Sequence, residues 1–229
     1  MSKKIIILNG SPRKTGNTTA LTTEFKKGAE ETGNTVTEFF LDGMNINGCK
    51  GCFGGGKNPD SPCVQKDDMD KIYPVYKEAD IVVLATPLYY WTISGQLKTA
   101  FDRLFAVAEC DPDYRNPKKK SVLIMAAEGY GFEETLYWYE HLEKHLGWKS
   151  IGKVLCSGVM AMGDIVGKPE LQEAYNLEHH TLPKTFQPYL IPSALVVLQE
   201  ISSLIPEGVC EQRSYIISLL LMPNWRTKI

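Results

Sequence analysis

The chain has 229 residues, the length of one domain with or without an appendage, since domains run to ~100–200 residues. A hydrophobic content of 43% supports one core and excludes a disordered chain. With 25 basic against 27 acidic residues the net charge is -2, which argues against nucleic-acid binding driven by bulk charge and against a strongly acidic electron carrier. No apolar stretch reaches the ~18 residues of a membrane helix, and the run Ile5 to Leu8 is too short for a signal peptide. Six cysteines without secretory signals read as reduced thiols or metal ligands, so a cytoplasmic location is expected.

Ile5 to Leu8 is a short apolar run suited to a buried parallel strand. From Asn17 to about Thr32 the apolar spacing is helical, and Gly33-Asn34 ends it. Thr35 to Leu41 reads as a second strand, and the Gly-, Asn- and Pro-rich stretch 42–66 as a long functional loop. A helix is expected over Asp67 to Ala79, a strand over Ile81 to Ala85, and a helix from near Ser94 through Phe105. Val122 to Ala127 reads as a strand, Glu133 to Leu146 as a helix stopped by Gly147, Val154 to Val159 as a strand, and Glu170 to Leu177 as the start of a last helix.

Such alternation means βαβ units and a parallel sheet covered on both faces. Five strands and five helices match a flavodoxin-like α/β fold, doubly wound in the order 2-1-3-4-5, over residues 1–178. Ligands of such folds bind at the carboxyl ends of the strands. The tail 179–229 breaks the rhythm, with five prolines in Glu178 to Ile229 and no strand–helix unit. Ala194 to Ile205 fits one amphipathic helix, and Ile216 to Met222 is a short apolar run. An appended element and a non-native end are both open readings of this extension.

Strand one runs into Asn9-Gly10-Ser11-Pro12-Arg13-Lys14-Thr15-Gly16-Asn17-Thr18-Thr19, ahead of a helix. A helix N-terminus offers unpaired N–H groups and a positive dipole end to a phosphate. The glycines permit close approach, Ser11, Asn17, Thr18 and Thr19 add short donors, and Arg13 adds a charged fork. The stretch is neither a Walker loop nor Gly-x-Gly-x-x-Gly, so a terminal phosphomonoester, as in FMN, fits better than a pyrophosphate. After strand three comes Thr86-Pro87-Leu88-Tyr89-Tyr90-Trp91-Thr92-Ile93-Ser94-Gly95. Three adjacent aromatics at the ligand edge suit a flat isoalloxazine ring, which needs stacking surface and backbone hydrogen bonds.

These two motifs, with Ser94-Gly-Gln-Leu-Lys98 and Phe101-Asp102-Arg103, resemble the NADPH-dependent FMN reductases and iron–sulfur flavoproteins of the flavodoxin-like superfamily, over roughly residues 3–178. The resemblance implies that Ser11, Arg13, Asn17, Thr18 and Thr19 hold the FMN phosphate. It implies that Pro87, Leu88, Tyr89, Tyr90 and Trp91 line the ribityl chain and ring, and that Glu128 and Gly129 belong to the third flavin loop. NAD(P)H is then the co-substrate, hydride passes through FMN, and a flavin, quinone, nitro or azo compound or iron–sulfur protein is the acceptor. No dedicated catalytic side chain is identified, because the cofactor carries the chemistry. A homodimer or homotetramer is expected, with no nucleic-acid or membrane partner.

Cys49-x-x-Cys52 with Cys63 has metal-like spacing, and the iron–sulfur members of the family carry a compact four-cysteine motif here for a [4Fe–4S] cluster. In this chain Phe53, Gly54 and Gly55 stand where a close third cysteine is expected, and no fourth ligand is evident. The cysteines are therefore read as structural thiols of a loop over the flavin, with a [4Fe–4S] cluster on Cys49, Cys52 and Cys63, for which Cys110 is the one other nearby candidate, and a two-cysteine redox pair as the alternatives. Asp102 and Arg103 are read as an ion pair fixing their helix or as a subunit contact, His141 and His145 as a solvated helix face, and Lys118 to Lys120 as a solvated turn. The rival functions are a flavin electron carrier, an iron–sulfur flavoprotein fed by ferredoxin, and an interaction role for the tail.

Overall fold

The computed structural model of the protein describes residues 2–178. The expected helix over 194–205, the apolar run 216–222, Cys210 and His179-His180 lie outside the described residues.

Five parallel strands form one sheet: β1 (Lys4–Asn9), β2 (Thr35–Phe40), β3 (Ile81–Pro87), β4 (Lys120–Ala126) and β5 (Lys149–Cys156), in the order β2-β1-β3-β4-β5. Six α-helices connect them: α1 (Asn17–Glu31), α2 (Met69–Glu78), α3 (Gly95–Arg103), α4 (Phe105–Ala108), α5 (Glu133–Leu146) and α6 (Pro169–Asn176). This is the flavodoxin-like topology, with β3 central and chain direction across the sheet reversing between β1 and β3.

The alternation of strand side chains builds two cores. Ile6, Leu8, Val82, Leu84, Leu123 and Met125 face α2, α3 and α5. Ile5, Ile7, Ile81, Val83, Val122 and Ile124 face α1 and α6. Because both faces are covered, the inner strands are apolar at successive positions and do not alternate with polar residues. Gly28 of α1 lies directly against the Tyr175 carbonyl of α6, so the two helices cross with no side chain between them.

The expected boundaries hold to within a few residues, and the departures have local causes. β5 starts five residues before the expected Val154, because Ile151 is an extra residue in the ladder: Ser121 pairs with Ser150 and Val122 with Gly152. α2 starts at Met69, where the Asp67 carboxylate accepts from the Met69 backbone N–H while its other oxygen accepts from that of Asn47, closing a turn ahead of the helix. The helix after the aromatic loop breaks at Leu104, which gives six helices where five were expected.

Lys119 corrects the reading of Lys118 to Lys120 as a solvated turn. It is buried, donates to the carbonyls of Ala79 at 2.6 Å and Lys77 at 3.3 Å, and lies over the Tyr76 ring. It caps the C-terminal end of α2, where a cation meets unpaired carbonyls, and burial pulls its pKa down to about 8. Cys156 is buried as its mid-sheet position implied, and burial pushes its thiol up to about 11, which keeps it inert. His141 and His145 are both exposed on α5, as expected of a solvated face.

Candidate functional site

Three loops meet at the carboxyl edge of the sheet, after β1, β3 and β4. The first is anchored at its root, where Asn9 Oδ1 accepts from the Ser11 N–H at 3.0 Å and Asn9 Nδ2 donates to Glu38 at 2.9 Å. The Ser11 hydroxyl donates to the Arg13 carbonyl at 3.1 Å, and the Thr19 hydroxyl donates to the same carbonyl at 2.9 Å. These two hydroxyls shape the loop from inside. The N-cap of α1 is Gly16, with no side-chain cap and no acidic residue in the first turn. The first-turn N–H groups of Asn17, Thr18 and Thr19 are left open, at the positive end of a 15-residue helix. By contrast, Ser94 caps α3 by accepting from Leu97 N–H.

Asn17 and Arg13 reach a neighbour that the sequence did not indicate, the loop after β5. Asn17 Nδ2 donates to the Ala161 carbonyl at 2.9 Å, and Arg13 Nη1 to the Met160 carbonyl at 3.1 Å. Asp164 holds that loop by accepting from the N–H groups of Met160 and Ala161. Asn17 Oδ1 is buried with no donor, so the site edge keeps unmet hydrogen-bonding capacity. No β-type periodicity or charge pattern marks 158–164 as part of the site. Its exposed Met160 and Met162 are the one compositional hint.

The second loop is a tight hairpin. Tyr89 and Thr92 exchange both backbone hydrogen bonds, at 3.0 and 3.1 Å, across Tyr90 (φ +46°) and Trp91 (φ +60°). Two successive left-handed residues make a type I′ geometry that ordinarily takes Asn and Gly. Bulky aromatics there cost ~1–2 kcal/mol each, and such strain collects at ligand clamps. Tyr90 is 91% exposed and Trp91 58%, so neither is explained by the core. Pro87 and Leu88, half-buried, lead into the hairpin, and Leu88 N–H is bound to the Ala126 carbonyl.

The loops are joined to one another. Ser94 Oγ donates to the Gly10 carbonyl at 2.7 Å, Ser94 N–H donates to Thr86 Oγ1 at 2.8 Å, and Gly10 N–H donates to the Ala85 carbonyl at 2.8 Å. A Cβ on Gly10 would come within 2.5 Å of Ser94 Oγ and 2.7 Å of Leu97 Cβ, so glycine is required for this approach. The third loop, with exposed Glu128, Gly129 and Tyr130, brings Gly131 to face the Trp91 indole, and Thr135 in the first turn of α5 donates to the Trp91 carbonyl at 2.8 Å. Ser11, Arg13, Asn17, Thr18, Thr19, Pro87 to Trp91, Glu128 and Gly129 are thus gathered at one sheet edge.

Comparison with known proteins places the chain. The profile of the family described as NADPH-dependent FMN reductase matches residues 3–161. The chain belongs to this family. An iron–sulfur flavoprotein of Archaeoglobus fulgidus is 32% identical over 174 residues, covering 76% of each chain. Among solved structures, an NAD(P)H:quinone oxidoreductase from Methanothermobacter marburgensis superposes with TM-score 0.59 at 18% identity, over 80% of this chain and all of that one. An FMN-dependent NADH-azoreductase from Bacillus anthracis, in complex with FMN, gives TM-score 0.55 at 16% identity, over 78% of this chain and 97% of that one. At such identities the structures bear on the fold, while family membership carries the assignment as a flavin oxidoreductase. The open α1 terminus and the strained aromatic hairpin beside it fit FMN. No described helix is long and apolar enough to cross a membrane.

Asp102 and Arg103 do not pair with each other. Asp102 pairs with Lys98 at the surface at 2.6 Å. Arg103 and Asp67 are both 1% exposed and pair in a fork, Nη1 to Oδ2 at 2.7 Å and Nη2 to Oδ1 at 3.2 Å. Arg103 also donates to the carbonyls of Asn47 and Gln65, so one guanidinium closes both ends of the cysteine loop. Its Nε has no partner. Burial tends to lower the Arg103 pKa, and the facing Asp67 outweighs this and holds it above the ordinary value. Cys49, Cys52 and Cys63 line one small cavity there with Arg103 and Glu109. Among the described residues no three Cys, His, Asp or Glu side chains are grouped closely enough to hold a metal ion.

Proposed function

We propose that the protein is an NAD(P)H-dependent FMN oxidoreductase that takes hydride from a nicotinamide and delivers it to a small acceptor such as a flavin or quinone. The carrying observation is the open α1 terminus, whose uncapped N–H groups stand beside the strained Tyr90-Trp91 hairpin. Bound FMN supplies the hydride chemistry by accepting and returning two electrons. The chain's part is to bind and orient. Asn17, Thr18 and Thr19 N–H groups hold the phosphate, with Arg13 at its rim and Ser11 shaping the loop. Pro87, Leu88 and the aromatics Tyr89, Tyr90 and Trp91 offer the ring one stacking wall, and the Glu128-Gly129 turn closes the far side. The exposed hairpin leaves room for a nicotinamide and then an acceptor to approach in turn.

The test is the absorption spectrum of protein purified anaerobically and supplemented with FMN, followed by NADPH and then NADH. Flavin bands that bleach with a nucleotide are expected. Bleaching by dithionite alone would instead favour a carrier or a partner-fed flavoprotein, the reading that the iron–sulfur flavoprotein names of curated relatives support. We further propose a homodimer or homotetramer, supported by the exposed ring cluster of Phe53, Phe105 and Tyr114. Sedimentation of a monomer at micromolar concentration would defeat it.

A further inference from the structure

The cysteine loop has a partner that sequence spacing did not reveal. Gly55 ends the Phe53-Gly54-Gly55 stretch, where the iron–sulfur members would carry a close third cysteine. A side chain at 55 would run into the Glu109 carboxylate and come within 2.9 Å of the Pro62 carbonyl. That carboxylate is fixed in place. Glu109 Oε1 accepts from Gly55 N–H at 3.2 Å. The Glu109 carbonyl packs on Gly56, whose φ of +77° needs glycine and whose N–H donates to the Pro62 carbonyl at 2.9 Å. Residues 55–56 and 62 are therefore drawn onto the end of α4 by Glu109, while Arg103 closes the loop's two ends.

We infer that Glu109 occupies the place of the missing third ligand, so that the cysteine loop is set by a carboxylate latch and needs no four-thiolate cluster. A [4Fe–4S] cluster is held by four thiolates. Here three cysteines line the cavity, and the direction a side chain at 55 would take is filled by Glu109 Oε2, whose companion Oε1 accepts from the Gly55 N–H. The inference stands apart from the FMN reading, because it concerns the loop after β2 and is measured by iron, sulfide and thiol reactivity.

The experiment is anaerobic reconstitution of the full chain with ferrous iron and sulfide, then desalting and assay of both, beside iodoacetamide labelling of Cys63 with and without chelator. The unaltered chain is expected to retain well under one iron per chain. Glu109→Ala is expected to label faster at Cys63, with or without chelator, because the loop end beside Pro62 is released, and Glu109→Gln to stay near the unaltered rate, since an amide oxygen still accepts from Gly55 N–H. Stoichiometric iron and sulfide in the unaltered chain would overturn the inference. So would Cys63 labelling indifferent to Glu109→Ala.

Discussion

Asp67→Ala is expected to cost the fold about 3–5 kcal/mol, because it strands the Arg103 guanidinium as an uncompensated charge in the interior. Arg103 is 1% exposed, and Asp67 is its only carboxylate partner among the described residues. The two carbonyls it also meets, of Asn47 and Gln65, carry no charge to offset it. Denaturant unfolding at neutral pH reads the loss directly as a lowered midpoint. Adding Arg103→Leu to Asp67→Ala is expected to recover part of it, because the orphaned charge goes too. Burial pushes the Asp67 carboxyl up, but the Arg103 hydrogen bond and the N–H groups of Asn47 and Met69 outweigh burial and hold it below its ordinary value. Its contribution is thus fully present above the ordinary carboxyl range of ~4 and is lost as pH falls through the lowered folded value. Below pH ~4 the unaltered protein should lose stability with falling pH more steeply than the double variant. An Asp67→Ala midpoint equivalent to less than ~0.5 kcal/mol of change would show that the pair is not the clamp described, since surface-like pairs contribute that little.

The sheet and its order were legible because each inner strand is a continuous apolar run, which only a strand covered on both faces carries. Ile5 to Leu8 and Ile81 to Ala85 are the clearest, and both are fully buried. β5 was harder to delimit. Its first residues lie half-exposed near the sheet edge and contain the bulge at Ile151, so neither periodicity nor apolar content marks them. The phosphate loop and hairpin stood out because their composition is poor for a core and unusual for a turn. Two aromatics at positive φ would never be chosen for turn propensity alone. The long-range partners were not legible. Arg103 with Asp67 is 36 residues apart and Gly55 with Glu109 is 54. Lys119 was misjudged for the same reason, because its charge is answered by carbonyls 40 and 42 residues away. Charge runs and cysteine spacing report local chemistry, while these contacts are set by how α2, α3 and α4 pack beside the sheet.

Asn17→Asp separates an anion site from an ordinary helix start, because the two readings give opposite signs. The substitution keeps the side chain's size and places a negative charge in the first turn of α1, where no acidic residue now stands. For the fold alone that charge favours the helix dipole by ~0.3–1 kcal/mol. It forfeits the Nδ2 donation to the Ala161 carbonyl, worth ~0.5–1.5 kcal/mol. Thermal stability without flavin should therefore change little. For an FMN phosphate on the open N–H groups of Asn17, Thr18 and Thr19, the same charge is repulsive. Unit charges ~4 Å apart interact with ~4 kcal/mol at the effective dielectric near a protein surface, equivalent to a loss of roughly 10³-fold in affinity. Asn17→Ala, which deletes contacts without adding charge, should lose only about tenfold. Fluorescence titration of the flavin-free protein with FMN, repeated with riboflavin, reads both. Riboflavin lacks the phosphate, so its affinity should be nearly blind to Asn17→Asp while that of FMN collapses. Equal losses for the two flavins would place the phosphate away from α1 and leave its uncapped terminus without a function.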